Sequence, residues 1–243
     1  MPAHLTATPS TADTREQLLR SALFAFANHG VEGVRLSHVR DAAGQNNRSA
    51  VHYHFKNKET LVQAVVEFVQ GKLAPHMQSA LAALQSGQVQ AGQLPALVEV
   101  MFGPFVNLFA SGAVGEACIR FMSRLTWQSG TEGQRVLTEF FIPYANAFAP
   151  CLQACLPQLS AAELRFKLYL AVNNSIHGLA DFSILLHDPG LEALGEHEPA
   201  PLAMRRLFFD YMAGGLAGAP IAHKGLSTPA ASKVSTKMPK ATR

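Results

Sequence analysis

Cysteine is scarce in this chain: Cys118, Cys151 and Cys155 are the three in 243 residues. They are too few and too apolar in context for a disulfide framework, and none forms the Cys-x-x-Cys pair that holds zinc. A reducing compartment fits, and buried inert thiols are favoured over an oxidant-sensing pair at Cys151 and Cys155. Charge is sparse too, at 15% of residues with a net +3. Much of that excess comes from the C-terminal segment (Lys224, Lys233, Lys237, Lys240, Arg243), so it says little about a nucleic-acid partner. Apolar stretches are broken well before the length of a membrane span, and no basic-then-apolar leader opens the chain. A cytoplasmic protein without a membrane partner is expected. HExxH, GxSxG, GxGxxG and the P-loop are missing, as are paired carboxylates in an apolar setting. Neither catalysis nor a cofactor is expected. No run of alternating β-branched residues suggests a sheet.

What is present is helical spacing almost throughout, with 48% hydrophobic residues to build a core. The expected fold is all-α, with a disordered arm over 1–12, a helix-turn-helix unit over 13–57, a larger helical body over 58–218 and a disordered basic tail over 219–243. Thr14 and Gln17 stand at capping-box spacing ahead of Leu18, Leu19, Ala22, Leu23 and Phe26, and Gly30 should stop that first helix. A short second helix is expected over Leu36–Ala43, halting at Gly44. The polar turn GQNN leads to a short third helix over Arg48–His54. Two short helices about a glycine-containing turn form a helix-turn-helix pattern.

A helix that enters the major groove needs small residues for close approach, an apolar underside, and donors at its N-terminal end. The stretch NNRSAVHYHFKNKETL meets all three needs. Asn57 is a good N-cap for the fourth helix, which places Lys58 in a first turn where its charge opposes the helix dipole by about 0.3 to 1 kcal/mol. Contact with phosphate would explain that placement, and a solvated lysine balanced by Glu59 is the alternative. His52 and His54 stand at i, i+2 on different sides of a helix with no third ligand near, so no metal is expected.

The order of these features resembles the TetR family of transcriptional regulators. The matching pieces are FAFANHG, LSHVRDAAG, NRSAVHYHF and KNKETL, over about the first quarter of the chain. The resemblance places Arg48, Ser49 and His52 on the groove-facing side of helix three and Tyr53, His54 and Lys58 on phosphate, with Phe55 anchoring from below. Arg35 stands where the family usually has a Ser or Thr cap; either Ser37 caps a shortened helix or Arg35 itself reaches phosphate. GQNN is a residue longer than the common turn, which leaves the register of Asn46, Asn47 and Arg48 open by one position. Lys56 and Asn57 replace the frequent Gly-Ser or Pro-Ser.

In the body, helices are expected over Lys58–Leu84, disturbed at Pro75, then Leu94–Ala110, Gly115–Thr126, Glu132–Leu156 kinked or divided at Pro143 and Pro150, Ser160–His187 and Pro201–Leu216. Ser160 and Glu163 form a second capping box. Met101, Phe105, Phe109, Phe121, Trp127 and Phe141 suit an adaptable apolar cavity or an ordinary core. Polar groups on these apolar segments, Arg120, Arg124, Asn173 and His177 among them, need partners or a ligand. Arg120 and Arg124 at i, i+4 could clamp a carboxylate-bearing amphipathic effector or pair internally with Glu116 or Glu139. Leu168, Val172, Ser175, Leu179 and Phe182 form one face, and Leu207, Phe208 and Tyr211 another. Packed two against two they would make a homodimer suited to a pseudo-palindromic site.

The leading expectation is a repressor of double-stranded operator DNA, released by a small apolar or amphipathic ligand. A sequence-tolerant DNA-binding scaffold without an effector is the alternative, with the basic tail adding nonspecific phosphate attraction.

Overall fold

The computed structural model describes residues 11–45, 47, 49–89, 92–128, 130–185, 187–195 and 199–218. Among them all regular structure is helical. The expected tail over 219–243 and residues 1–10 of the expected arm lie outside the described residues.

Helix α1 (Thr11–Gly33) starts before the expected capping box, so Thr14 lies inside it. Asp13 in the first turn suits the helix dipole and lets the helix begin earlier. Gly30, at φ 71° and ψ 161°, interrupts α1 in a conformation that glycine tolerates, so the expected stop is a break followed by one more turn. Helix α2 (Leu36–Ala42) and helix α3 (Ala50–Phe55) follow. The third helix begins later than expected because the Asn47 side-chain oxygen accepts from the Ser49 amide at 2.9 Å, a turn that leads the chain in.

Helix α4 (Lys58–Gln85) opens on a capping box in which Asn57 Oδ1 accepts from the Thr60 amide at 2.8 Å. It runs through Pro75. Helices α5 (Leu94–Ala110), α6 (Ala113–Gln128) and α7 (Gly130–Cys155) come next. Pro143 and Pro150 are exposed and do not divide α7. Helix α8 (Ala161–Ala180) opens on the expected Ser160–Glu163 box, whose hydrogen bonds hold the Glu163 carboxyl below its usual range. It ends at Asp181, a poor helix former, and does not reach His187. Helix α9 (Phe182–Leu185), a 3₁₀ segment (Pro189–Gly195) and helix α10 (Ala200–Ala217) complete the described elements.

Large apolar residues at helical spacing bring these elements into one buried cluster, from Leu18 in α1 to Leu216 in α10. The most extensive packing joins α1 to α6, where the rings of Phe26 and Phe121 lie 6.2 Å apart. Gly115 lets α6 close on the end of α5, since a Cβ there would meet the Leu108 carbonyl oxygen at 1.8 Å. No single helix among the described residues is long and apolar enough to cross a membrane. Helices α5 and α6 pass such a test only as a pair, bent by 119°.

Candidate DNA interface and effector cleft

Helix α3 buries Ala50, Val51 and Phe55 and exposes Ser49, His52 and Tyr53, the last at 76%. The Arg15 guanidinium lies 5.3 Å from the centre of the Phe55 ring, so the helix is clamped to α1 from below. His52 Nδ1 lies 2.9 Å from the Lys56 carbonyl oxygen, which orients the imidazole from its own turn. The half-buried His54 ring meets Tyr53 edge-on at 5.0 Å and Phe55 at 6.1 Å. Lys56 itself has φ 56° and ψ −55°, a backbone region unfavourable for a side chain. Arg48 lies outside the described residues.

Two of the alternatives at the start of α2 are now distinguished. Ser37 does not cap a shortened helix, because α2 begins one residue before it with Arg35 at the N-cap position. Both side chains are exposed, and neither makes a capping hydrogen bond. Lys58 is half-buried, and its Nζ donates to the Glu32 carbonyl oxygen at 3.3 Å. This contact is a third reading of Lys58, between phosphate contact and free solvation.

The aromatic stripe fits the second of its two readings, an ordinary core. Met101, Phe105, Phe121 and Phe141 are buried, with Phe105 and Phe141 rings 5.3 Å apart, and they line neither of two open clefts. A stripe that could wall a pocket can equally pack against neighbouring helices, and these four residues belong to the buried cluster. One cleft, of about 590 Å³, lies between the end of α1, the start of α4 and the facing parts of α6 and α7, with Lys58, Glu59 and Glu32 at its polar edge. The other, of about 430 Å³, is walled by Phe109, Phe182, Leu185, Leu191, Pro201 and Met204, with Glu116, Arg120 and Asp188 as its charged groups. Phe109 and Phe182 meet edge-on at 5.6 Å across it. Of the expected ligand residues, Phe109 and Arg120 belong to this second cleft; the Trp127 side chain lies outside the described residues.

Of the two readings of Arg120 and Arg124, internal pairing with Glu116 is the one seen at Arg120. Arg120 donates to Glu116 at 3.0 Å and to Asn28 of α1 at 3.4 Å, whereas Arg124 is exposed. Glu139 pairs with Arg135. Asn173 donates to the Tyr169 carbonyl of its own helix at 2.8 Å, away from both clefts. His177 Nδ1 lies 2.7 Å from Ser123 Oγ, and partial burial lowers its pKa while Asp181 opposes the shift. Neither cleft includes His177. Among the described residues no group of three His, Cys, Asp or Glu side chains is placed to hold a metal ion.

The expected subunit faces are exposed only in part. Leu168, Ser175 and Leu179 are buried in the protomer, where Ser175 Oγ donates to the Ala171 carbonyl at 2.9 Å. Val172 and Phe208 are half-buried, and Phe182 belongs to the second cleft. Leu207 and Tyr211 are exposed. Helix α8 is apolar on two sides, and its outer side carries the exposed Phe166, Tyr169 and Leu170, while Leu207 and Tyr211 are exposed on α10, which packs against α8. Lys167 holds the two helices in register, donating to the Leu216 and Gly218 carbonyls at 2.8 and 2.7 Å.

Residues 18–65 match the family model for bacterial regulatory proteins of the tetR family, and residues 99–215 match that for the tetracyclin repressor-like C-terminal domain. The chain belongs to the TetR family. Two Escherichia coli proteins, from strain K12 and O157:H7, each named "Probable acrEF/envCD operon repressor", are 42% identical to it over 48 residues, 20% of this chain. The chain spans about a fifth (21%) of the length of these curated relatives. A solved structure titled "Salmonella enterica GusR" aligns with 89% of this chain and 98% of its own, at 16% identity and a TM-score of 0.42. TetR-family regulators are DNA-binding proteins and in general not enzymes.

Within this TetR-family chain the sequence reading missed Arg15 under Phe55, Asn28 beside Arg120 and Asp188 in the second cleft. No local pattern announces them, because each acquires its role from a distant segment. The outer face of α8 was missed as well, although Phe166, Tyr169 and Leu170 stand at i, i+3, i+4.

Proposed function

We propose that this chain is a sequence-specific DNA-binding repressor that leaves a pseudo-palindromic operator when a small, largely apolar effector binds. The observation that carries the reading is α3, which presents Ser49, His52 and Tyr53 outward over a buried Ala50, Val51 and Phe55. Arg48, Ser49 and His52 would face base edges, while Tyr53, Arg35, Ser37, Asn47, His54 and Lys58 would lie along the phosphates. Residues 13–57 are the DNA-binding unit in this reading, and 58–218 the effector-binding and dimerising body. The curated relatives' name supports the repressor sign.

A second copy would cover the exposed Phe166 (63%), Tyr169 (59%) and Tyr211 (66%) with Leu170 and Leu207, a cluster larger than solitary surface apolar residues. Four helices, α8 and α10 from each copy, would then pair the two DNA-binding units about a two-fold axis. The second cleft is the effector site that the geometry supports best. Arg120 in its wall also touches Asn28 of α1, so a change in the cleft reaches the DNA-binding unit through one side chain and the Phe26–Phe121 packing. Such coupling requires an effector that binds the two states differently, commonly by about 1 to 3 kcal/mol.

The test is selection of duplex DNA from a random pool by the full chain, followed by affinities across salt. Recovery of a pseudo-palindrome bound by a dimer is the expected result. Recovery of no motif, with a steep salt slope, would overturn it in favour of sequence-tolerant binding.

A further inference from the structure

We infer that the cleft walled by Phe109, Phe182 and Arg120 takes an amphipathic organic monocation, a compact apolar body carrying one ammonium or comparable positive group. The inference rests on the effector-site reading above and names the chemical class that fits the site. Charge in the cleft decides it. Two carboxylates, Glu116 and Asp188, stand against one guanidinium, Arg120, among the described residues that line it. Arg120 is already engaged, by Glu116 at 3.0 Å and Asn28 at 3.4 Å. An incoming carboxylate would find a guanidinium already neutralised by Glu116 and would face both acids.

A cation meets no such obstacle. It can approach Glu116 and Asp188 while the arginine keeps its place, and like-charge repulsion excludes the acid counterpart. The Gly190 amide donates to Asp188 Oδ1 at 2.9 Å, which holds that carboxylate in position and leaves its second oxygen for a ligand. Phe109 and Phe182, edge-on at 5.6 Å, supply ring faces on which a desolvated cation is favoured. Leu185, Leu191, Pro201 and Met204 would receive the apolar body, and the volume of about 430 Å³ lies within the range of small-molecule sites. The alternative of an acid effector rested on the two arginines and an apolar wall; the fold adds Asp188, 68 positions from Arg120 in the sequence, to the same cleft.

Two dansyl probes separate the charges on a similar body: dansylcadaverine, which ends in an ammonium, and N-dansyl-6-aminohexanoate, which ends in a carboxylate. Each is titrated into the full chain without DNA, by fluorescence anisotropy. The ammonium probe is expected to saturate one site per chain at least tenfold more tightly than the carboxylate probe. Asp188→Asn, which keeps the Gly190 acceptor, and Glu116→Gln, which keeps an acceptor for Arg120, should each weaken the ammonium probe at least threefold and narrow that preference. Melting curves equal to wild type show that the variants fold. Equal or tighter binding of the carboxylate probe, unchanged affinity in both variants, or no saturable binding of either probe would overturn the inference. DNA binding measured on the same preparations without probe is a separate readout: its loss would sink the regulator reading and leave the charge preference of the cleft standing.

Discussion

Lys58 Nζ donates to the Glu32 carbonyl oxygen at 3.3 Å, joining the first turn of α4 to the last turn of α1. The ammonium that opposes the dipole of α4 thus lies at the negative end of α1, which offsets part of its cost. Lys58→Met keeps the aliphatic stem and removes the charge. Affinity for specific and random duplexes is expected to fall alike, with the salt slope reduced by about one, as measured by anisotropy across salt. A lower melting temperature with an unchanged slope would make Lys58 a tether between helices and nothing more. Arg48→Ala is expected to lose roughly 1 to 3 kcal/mol of discrimination at one base pair per half-site, which distinguishes base reading from phosphate contact.

Gly115→Ala is expected to lower stability by about 1 to 3 kcal/mol or more, because its Cβ would lie 1.8 Å from backbone oxygen that cannot retreat as a flexible side chain could. Denaturant melts read this directly. A loss below about 0.5 kcal/mol would show that α6 can slide on α5 and that the cleft is less firmly built.

Histidine 177 gives a pH dependence with a definite sign. Burial lowers its folded pKa from the ordinary 6.5, so the unfolded chain binds more protons in the window between the two values. The penalty is absent above about pH 6.5, grows as pH falls through the folded pKa, and is full below it. Melting temperature should therefore fall more steeply on acidification in wild type than in His177→Asn. Parallel curves for the two proteins would contradict the assignment.

Tyr169→Glu and Tyr211→Glu place charge on the outer faces of α8 and α10 without touching the core, both residues being well exposed. Sedimentation is expected to show a shift from dimer to monomer in either variant, with weaker operator binding and an unchanged fold by circular dichroism. A dimer that persists in both would move the subunit contact elsewhere. Leu168→Ala, by contrast, should destabilise the protomer by about 2 to 5 kcal/mol, since Leu168 is buried within it.

Much of the architecture was legible because its signals are local. Asn57 and Ser160 satisfy amides three residues away, so both helix starts could be read from a few letters. Gly30 announced a change of direction, although only the backbone revealed a break within α1. The third helix was placed early because the pairing of Asn47 with the Ser49 amide competes with helix at that point. Prolines in α4 and α7 proved compatible with continuous helix, which packing can impose over local preference.

Sequence alone determined the all-α class, the order of the short helices around the GQNN turn and the amphipathic build of α3, all of which follow from periodicity and capping over a few turns. Tertiary structure decided which apolar faces are inside. Leu168 and Ser175 look no different in sequence from residues of a subunit face, and Met101 or Phe105 no different from the wall of a pocket. It also decided the charge of the second cleft, by placing Asp188 in the same lining as Arg120 and bringing Arg120 to Asn28. Burial and electrostatic partnership depend on neighbours distant in the chain, and no local pattern encodes them.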